Sequence, residues 1–485
     1  MKNELSKKNN CWLWGIFILA LFLRFYRLAN FGFWVDEAFS AEVARLGLKE
    51  IATFLYLHDN HPPLFYYLLW GWIHILKFLR LPANEIYLRL PFVIFSSCQV
   101  IILYYLAEKI AGKTLAKITS FCLAISASAI ILGGADVRMY SLLGLFSLLS
   151  VYFLYNYITS QKKSCFWAYI IFTILALYTH YTAILLFMAQ EVYLMLFIKK
   201  IGFKRWLLIN VYILLGYSAW LPVMIHHFTC HPFVLMQKTG YTGYPRIFFD
   251  VLLSYFHGES IHLKPWGVYY SVLLCLILSA ILLNLRAKED AFYSSGLLAL
   301  VSIMPISIMT VAFCIPPYTL FSPRQTIFIL PFYLLLWLKK YPHILVKLLL
   351  IIYIGCNLFA LSRWYYNPEY QKTSWPQVCN FLQTKTSQYD AIILQNDYQN
   401  FAFRYYYHGM QPVFYFKPAT TNQELEIFEK KYRRLCFISC YGWVVDPQLK
   451  ILKWLEHYYI PTKIVVFKNS LDPSGSTTIM LMQRP

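Results

Sequence analysis

The chain has 485 residues, of which 59% are hydrophobic, 19% aromatic and only 14% charged, with a formal net charge of +20. That much apolar surface excludes an ordinary soluble domain and fits a polytopic membrane protein, for which lipid is the solvent. The basic excess then reads as orienting charge in loops and attraction to anionic lipid. It does not read as a nucleic-acid footprint, because no basic, polar-faced module is visible.

Taken in chain order, an apolar run over 11–29 is long enough to span. It lacks a small-residue cleavage site, so it is expected to be a retained helix and not a signal peptide. Residues 30–87 form a long first external segment. Within it, 63–79 is apolar but is placed as an interfacial or re-entrant helix, because one more span would flip every later basic loop outward. Further spans are expected at 88–106, 115–133, 139–158, 166–180, 182–198, 206–226, 267–285, 292–314, 325–338 and 342–360. The joints "AEKIAGKTLAK" (107–117), "TSQKKS" (159–164), "KKIGFKR" (199–205), "RAKED" (286–290) and "KKYPH" (339–343) all bear Lys or Arg. If these joints face the cytoplasm, the chain has 11 spans, its N-terminus inside and its C-terminus outside. The hairpin at His180–Tyr181 has no Gly or Pro to turn it.

After residue 361 the patterning changes. Short buried strands are expected at 391–395, 412–416, 435–439, 463–467 and 478–482, alternating with amphipathic helices near 374–386, 421–433 and 446–459. The reading is a membrane domain over 1–361 and a small extracytoplasmic α/β domain over 362–485. The 11 Cys show no CxxC or CxxH spacing, and Cys436 and Cys440 lie too far apart on one extended strand to bridge.

This topology collects unusual polar residues on one side. Asp36 and Glu37 follow the first span, "HDNHPPLFYY" (58–67) adds a His pair including His61, "GGADVRMYSL" (133–142) adds Asp136, Arg138 and Tyr140, and "IPPYTLFSPRQT" (315–326) adds Arg324. Ionisable groups at membrane depth are functional candidates by default. Each also has a structural reading. The acids suit the first turn of the helix that follows them. His61 suits a turn before two prolines. The arginines suit headgroup contact, or, for Arg138, an ion pair with Asp136. The shared sidedness favours function. Sugar transfer from a lipid-phosphate donor would use such a set: a carboxylate base for the attacking hydroxyl and guanidinium groups for the phosphate that departs. A transporter or flippase of lipid-linked sugars is the alternative from another class, and an O-antigen ligase or polymerase is a chemically closer one. A transporter would be expected to show internal repeats and interrupted mid-membrane helices, and neither is visible.

Five segments in order resemble the GT-C membrane glycosyltransferases, in particular the bacterial dolichyl-phosphate-mannose–protein mannosyltransferase-like group. They are "DEAFSAEVAR" (36–45), "HPPLFYYLL" (61–69), "YLRLPFVIFS" (87–96), "ADVRMYSLL" (135–143) and "FSPRQTIFILPFYLLL" (321–336). The group includes lipid A aminoarabinose transferases, rhizobial galacturonosyltransferases and relatives of protein O-mannosyltransferases. The resemblance implies an inverting, metal-optional transferase. It would use a polyprenyl-phosphate-linked sugar and a lipid, glycan or protein acceptor on the outer side of the inner membrane. It implies Asp36 as base or acceptor-orienting acid, Glu37 in support, and His61, Asp136, Arg138, Tyr140 and Arg324 around the substrate. Asp36, Glu37 and His61 also offer ligands to a divalent metal, although no spacing demands one. The chain departs from the group at Gln325, where many relatives carry Tyr after the Arg. It also has "HPP" at 61–63, where the lipid A enzymes have "KPP". That argues against a strict aminoarabinose transferase.

Overall fold

The computed structural model describes residues 2–230, 251–256, 292–313, 323–370, 373–385, 391–395, 397–415, 430–440, 446, 448–468 and 476–485. The chain divides into two compact units, Met1–Leu28 with Ala44–Leu361, and Ala29–Val43 with Ser362–Pro485. The second unit thus takes in the stretch Ala29–Val43 as well as the residues after Leu361.

The first unit is helical. Its elements are α1 (Lys2–Phe25), α3 (Leu48–His58), α4 (Leu64–Phe78), α5 (Glu85–Ile125), α6 (Tyr140–Ser160), α7 (Lys163–Thr179), α8 (Ala183–Leu196), α9 (Phe203–Tyr217), α10 (Leu221–Cys230), α11 (Phe292–Phe313), α12 (Leu330–Leu338) and most of α13 (Ile344–Tyr366); α2 (Val35–Val43) belongs to the second unit. Among the described residues five helices are long and apolar enough to cross a membrane, or six if α9 and α10 form one bent span. The expected spans at 166–180, 182–198 and 325–338 appear as shorter apolar segments. The span expected at 267–285 lies outside the described residues.

Two expected spans, 88–106 and 115–133, share α5. They are separated at Gly112, whose φ of 85° and ψ of 173° break the helix; glycine takes that conformation without a Cβ penalty. The span expected over 206–226 is instead broken, with α9 and α10 at 76°. Pro222 explains it. Its ring cannot extend a helix arriving from Tyr217, but it is tolerated in the first turn of a new one.

Buried polar side chains join three helices. Gln190 on α8 donates to Ser150 on α6 at 2.9 Å, and the Ser150 and Thr173 hydroxyls of α6 and α7 are 2.8 Å apart. In lipid, such pairs fix register where apolar packing alone is indifferent. The turn that lacks Gly and Pro is closed by a side chain: the Thr182 backbone N–H donates to Nδ1 of His180 at 3.1 Å.

The second unit carries a five-stranded sheet. Its strands are β1 (Ala391–Leu394), β2 (Val413–Tyr415), β3 (Arg434–Ser439), β4 (Ile460–Phe467) and β5 (Thr477–Gln483), in the order β2-β1-β3-β5-β4. β1 runs parallel to β2 and β3, while β5 is antiparallel to β3 and β4. β1 lies inside the sheet between β2 and β3 and is fully buried, which accounts for its unbroken apolar run. Among the described residues the unit also holds helices α14 (Trp375–Lys385), α15 (Asn400–Tyr406) and α16 (Lys450–Tyr458), besides α2. Ile451 and Leu455, one turn apart on α16, are buried with Ile393, Leu435 and Phe437 of the sheet. Asp446 caps α16 by accepting from the backbone N–H groups of Lys450 and Ile451 at 2.8 and 2.9 Å. Most of the helix expected at 421–433 lies outside the described residues. Cys379, Cys436 and Cys440 are all unbridged.

Candidate functional site

The first unit gathers a polar cluster where α3 gives way to α4. The sequence Asp59-Asn60-His61-Pro62-Pro63 connects them. Asp59 itself is extended, with φ −139° and ψ 147°. A proline after His61 disfavours helix at that residue, so the connector holds its side chains two residues apart on one side. His61 Nδ1 accordingly lies 2.7 Å from Asp59 Oδ1, which also accepts the Asn60 backbone N–H at 2.9 Å. Tyr66, in the first turn of α4, reaches back and donates its hydroxyl to Asp59 Oδ2 at 2.7 Å.

From the other side come the turn after α7 and the start of α6. The His180 ring lies 5.4 Å from that of His61 and 5.8 Å from that of Tyr140, centroid to centroid. Arg138, 5% exposed, is close enough for its charge to act on Asp59. Thr182 donates its hydroxyl to the backbone carbonyl of Gln325 at 3.0 Å, which ties this turn to the Pro323–Ile329 segment bearing Arg324. That segment is anchored again by the Tyr255 hydroxyl on the Pro323 carbonyl at 3.2 Å. Asp136 is buried in the same 135–139 connection as Arg138, and Gly134 just before it admits no Cβ, which would meet the Ala129 carbonyl.

Burial alone would raise the Asp59 carboxyl. The His61 charge and hydrogen bond, the Tyr66 hydroxyl and Arg138 outweigh that and hold it at about 2, against an ordinary 3.8. A depressed carboxylate stabilises the fold above its unfolded pKa and loses that contribution as pH falls through the folded value. Between pH 5 and pH 2 the protein is therefore expected to lose about 2 kcal/mol through this group. Thermal unfolding in detergent at both pH values, compared with Asp59→Asn, checks it. The variant should show a smaller acid loss.

In the second unit, Asp36 and Glu37 occupy the first turn of α2, where carboxylates face the positive end of the helix dipole. They part company in burial: Glu37 is fully buried, whereas Asp36 is half-buried and accepts the Tyr398 hydroxyl on Oδ1 at 2.8 Å. α2 is held against α15, with the Phe39 and Phe401 rings 5.1 Å apart and the Phe33 and Tyr405 rings 5.0 Å apart.

The residues singled out in the sequence thus fall in two groups. His61, Asp136, Arg138, Tyr140 and Arg324 belong to the first unit, Asp36 and Glu37 to the second. The His pair in "HDNH" does not act as one, because His58 is exposed and packs on Phe54; His61 meets His180 instead. Asp59, Tyr66, His180 and Thr182 were not legible as site residues, although an Asp two positions before a His in a Pro-Pro turn is a usable signal. Among the described residues no three His, Cys, Asp or Glu side chains are placed to hold a metal ion.

Residues 60–226 match the description of the dolichyl-phosphate-mannose-protein mannosyltransferase family. A stretch of 171 residues, 34% of the chain, is 31% identical to an uncharacterized protein of Aquifex aeolicus (strain VF5), and the alignment spans 33% of that relative's length. The structure is similar to that of ArnT from Cupriavidus metallidurans in the apo state, with a TM-score of 0.59 at 12% identity over 97% of this chain and 98% of that one. ArnT bound to undecaprenyl phosphate gives 0.55 at 12% identity, over the same shares of the two chains. The Archaeoglobus fulgidus oligosaccharyltransferase in complex with Zn and sulfate gives 0.53 at 13%, over 96% of this chain and 72% of that one. At such identities the shared property is the fold. The chain is a multi-pass membrane protein with the GT-C glycosyltransferase fold, similar in sequence over 60–226 to the dolichyl-phosphate-mannose-protein mannosyltransferase family.

Proposed function

We propose that this protein is a membrane glycosyltransferase that moves a sugar from a polyprenyl-phosphate donor to a hydroxyl of a lipid, glycan or protein. The reading places the reaction, and the second unit, on the outer side of the cytoplasmic membrane. What carries it is one coincidence. The family match over 60–226 begins at the connector that supplies His61, and it contains Arg138, Tyr140 and His180, the cluster built independently by the fold. The fold's likeness to ArnT, seen with undecaprenyl phosphate, supports the donor class.

In this reading Asp36 takes the proton of the acceptor hydroxyl as its oxygen attacks the anomeric carbon. The sugar–phosphate C–O bond breaks with its electron pair on the phosphate oxygen, and configuration inverts. Arg138 and Arg324 offset the charge that develops there. Glu37, fully buried, supports the first turn of α2. His61, Asp136 and Tyr140 line the substrate.

The test is comparative mass spectrometry of envelope lipids, glycans and proteins from cells with and without this protein. One species should lose a single sugar residue when the protein is absent, and the unmodified acceptor should accumulate. Identical profiles, together with movement of labelled lipid-linked sugar by the purified protein and no glycosidic product, would replace the transferase with a transporter.

A further inference from the structure

The joints before α7 and α9 concentrate positive charge that the proposed chemistry does not use. Lys162 and Lys163 open α7, Lys199 and Lys200 follow α8, and Lys204 and Arg205 stand in the first turn of α9; all six are exposed. Over 139–205 the sequence has one acid, Glu191. Its Oε2 accepts the Trp206 Nε1–H at 2.7 Å and the Asn210 side-chain amide at 3.0 Å, which engages it between α8 and α9. The two joints are neighbours, because Arg205 donates to Gln161 Oε1 at 2.8 Å. From there α7 and α9 run side by side in the same direction, with the Trp167 and Tyr212 rings 4.9 Å apart and the Tyr178 and Tyr217 rings 5.0 Å apart. Orientation in the membrane asks for Lys or Arg in a joint, but it does not ask for two joints to be tied together.

The surroundings of this charge point to lipid. Trp167 on α7, Met195 and Leu196 at the end of α8, and Phe203 and Leu207 on α9 are all exposed. In a multi-pass membrane protein such side chains lie against acyl chains, and a tryptophan beside them marks the depth of the headgroups. We propose that this corner, formed by 159–167 and 195–208, is a binding site for an anionic diacyl phospholipid. The phosphate meets the lysines and Arg205 through charge-assisted hydrogen bonds, and the chains lie along the apolar side chains of α7 and α9. Each cation near a membrane surface strengthens such binding roughly fivefold. A nucleic acid or an acidic protein would match the charge but would leave the apolar flank uncovered. The site is separate from the cluster around His61 and does not depend on the transferase reading.

Full-length protein in detergent tests it, titrated with phosphatidylglycerol, cardiolipin and phosphatidylcholine. The two anionic lipids should bind at least about a hundredfold more tightly than phosphatidylcholine, and the difference should shrink as salt is raised. The variant Lys162→Gln/Lys163→Gln/Lys204→Gln/Arg205→Gln should cut that preference to about tenfold or less and leave phosphatidylcholine binding unchanged. Lys109→Gln/Lys113→Gln/Lys117→Gln, which removes as much charge as three of those four changes from the joint at 107–117, should keep it. Inorganic phosphate at millimolar concentration should displace neither lipid, because it has no chains to cover the flank. The wild type offers a check that needs no variant to fold: a photoactivatable phosphatidylglycerol should crosslink within 159–167 and 195–208. Crosslinks confined to other segments, equal affinity for phosphatidylglycerol and phosphatidylcholine, displacement by inorganic phosphate, or an equal loss in the 107–117 variant would each overturn the site.

Discussion

Replacing Asp36 with Asn is expected to lower sugar transfer by at least about a hundredfold, the usual cost of losing a positioned general base. The substitution is close to isosteric. The Asn carbonyl oxygen can still accept the Tyr398 hydroxyl that Asp36 receives at 2.8 Å. What is lost is the negative charge and the capacity to take a proton. The side chain is half-buried in the first turn of α2, and losing its charge there costs the helix-dipole contribution, a few tenths of a kcal/mol to about 1. Thermal unfolding and membrane insertion should therefore stay near wild type while transfer, followed by mass of the glycosylated acceptor, disappears. Near-normal turnover in the variant would remove Asp36 from the chemistry. Glu37→Gln provides the contrast: Glu37 is fully buried, and its replacement should show in stability as well as in activity.

The largest purely structural effect is expected at Arg24. This guanidinium, 1% exposed near the end of α1, donates to the Ser96 hydroxyl at 2.7 Å and to the backbone carbonyls of Ala20 and Ala124 at 3.2 Å. It also reaches the Leu123 carbonyl at 3.4 Å. Leu123 and Ala124 lie in the last turn of α5, at the negative end of its dipole, and the Leu123 carbonyl also accepts the Ser126 backbone N–H at 3.4 Å. Arg24 thus caps α5 with a charge. Arg24→Leu fills part of the space but removes the charged donor from the Ser96 hydroxyl and the Ala124 carbonyl, at a cost of about 3 kcal/mol. Arg24→Lys should recover only part of this, because an ammonium cannot span the same fork of acceptors. Thermal unfolding in detergent measures both. An unchanged transition in Arg24→Leu would show that solvent or a neighbouring group caps α5 instead. Because α5 leads into Ile130–Gly134 and then to Asp136 and Arg138, the less stable variant should also bind donor less well.

Much of this molecule was legible before any coordinates. The five strands of the second unit fall where short β-rich runs stood between turn residues, although the run at 463–467, expected to be buried, forms the largely exposed edge strand β4. The apolar helices of the first unit were equally plain, since length and hydropathy are properties of a segment taken alone. So was the chemical character of the candidate groups: acids after the first apolar run, a His before two prolines, an arginine after the paired glycines. What only the tertiary structure decided is partnership. The stretch 29–43 follows α1 in sequence, yet its aromatic residues pack on α15 and on Trp364, more than 300 residues later, which no local pattern encodes. His61 and His180 lie on different connectors and meet because α4 and α7 are neighbours. The sequence determined which segments dissolve in lipid and which groups can hold charge, because both are intrinsic free energies of transfer. Which charged groups face one another depends on packing between elements remote in the chain, and that energy exists only once the fold has formed.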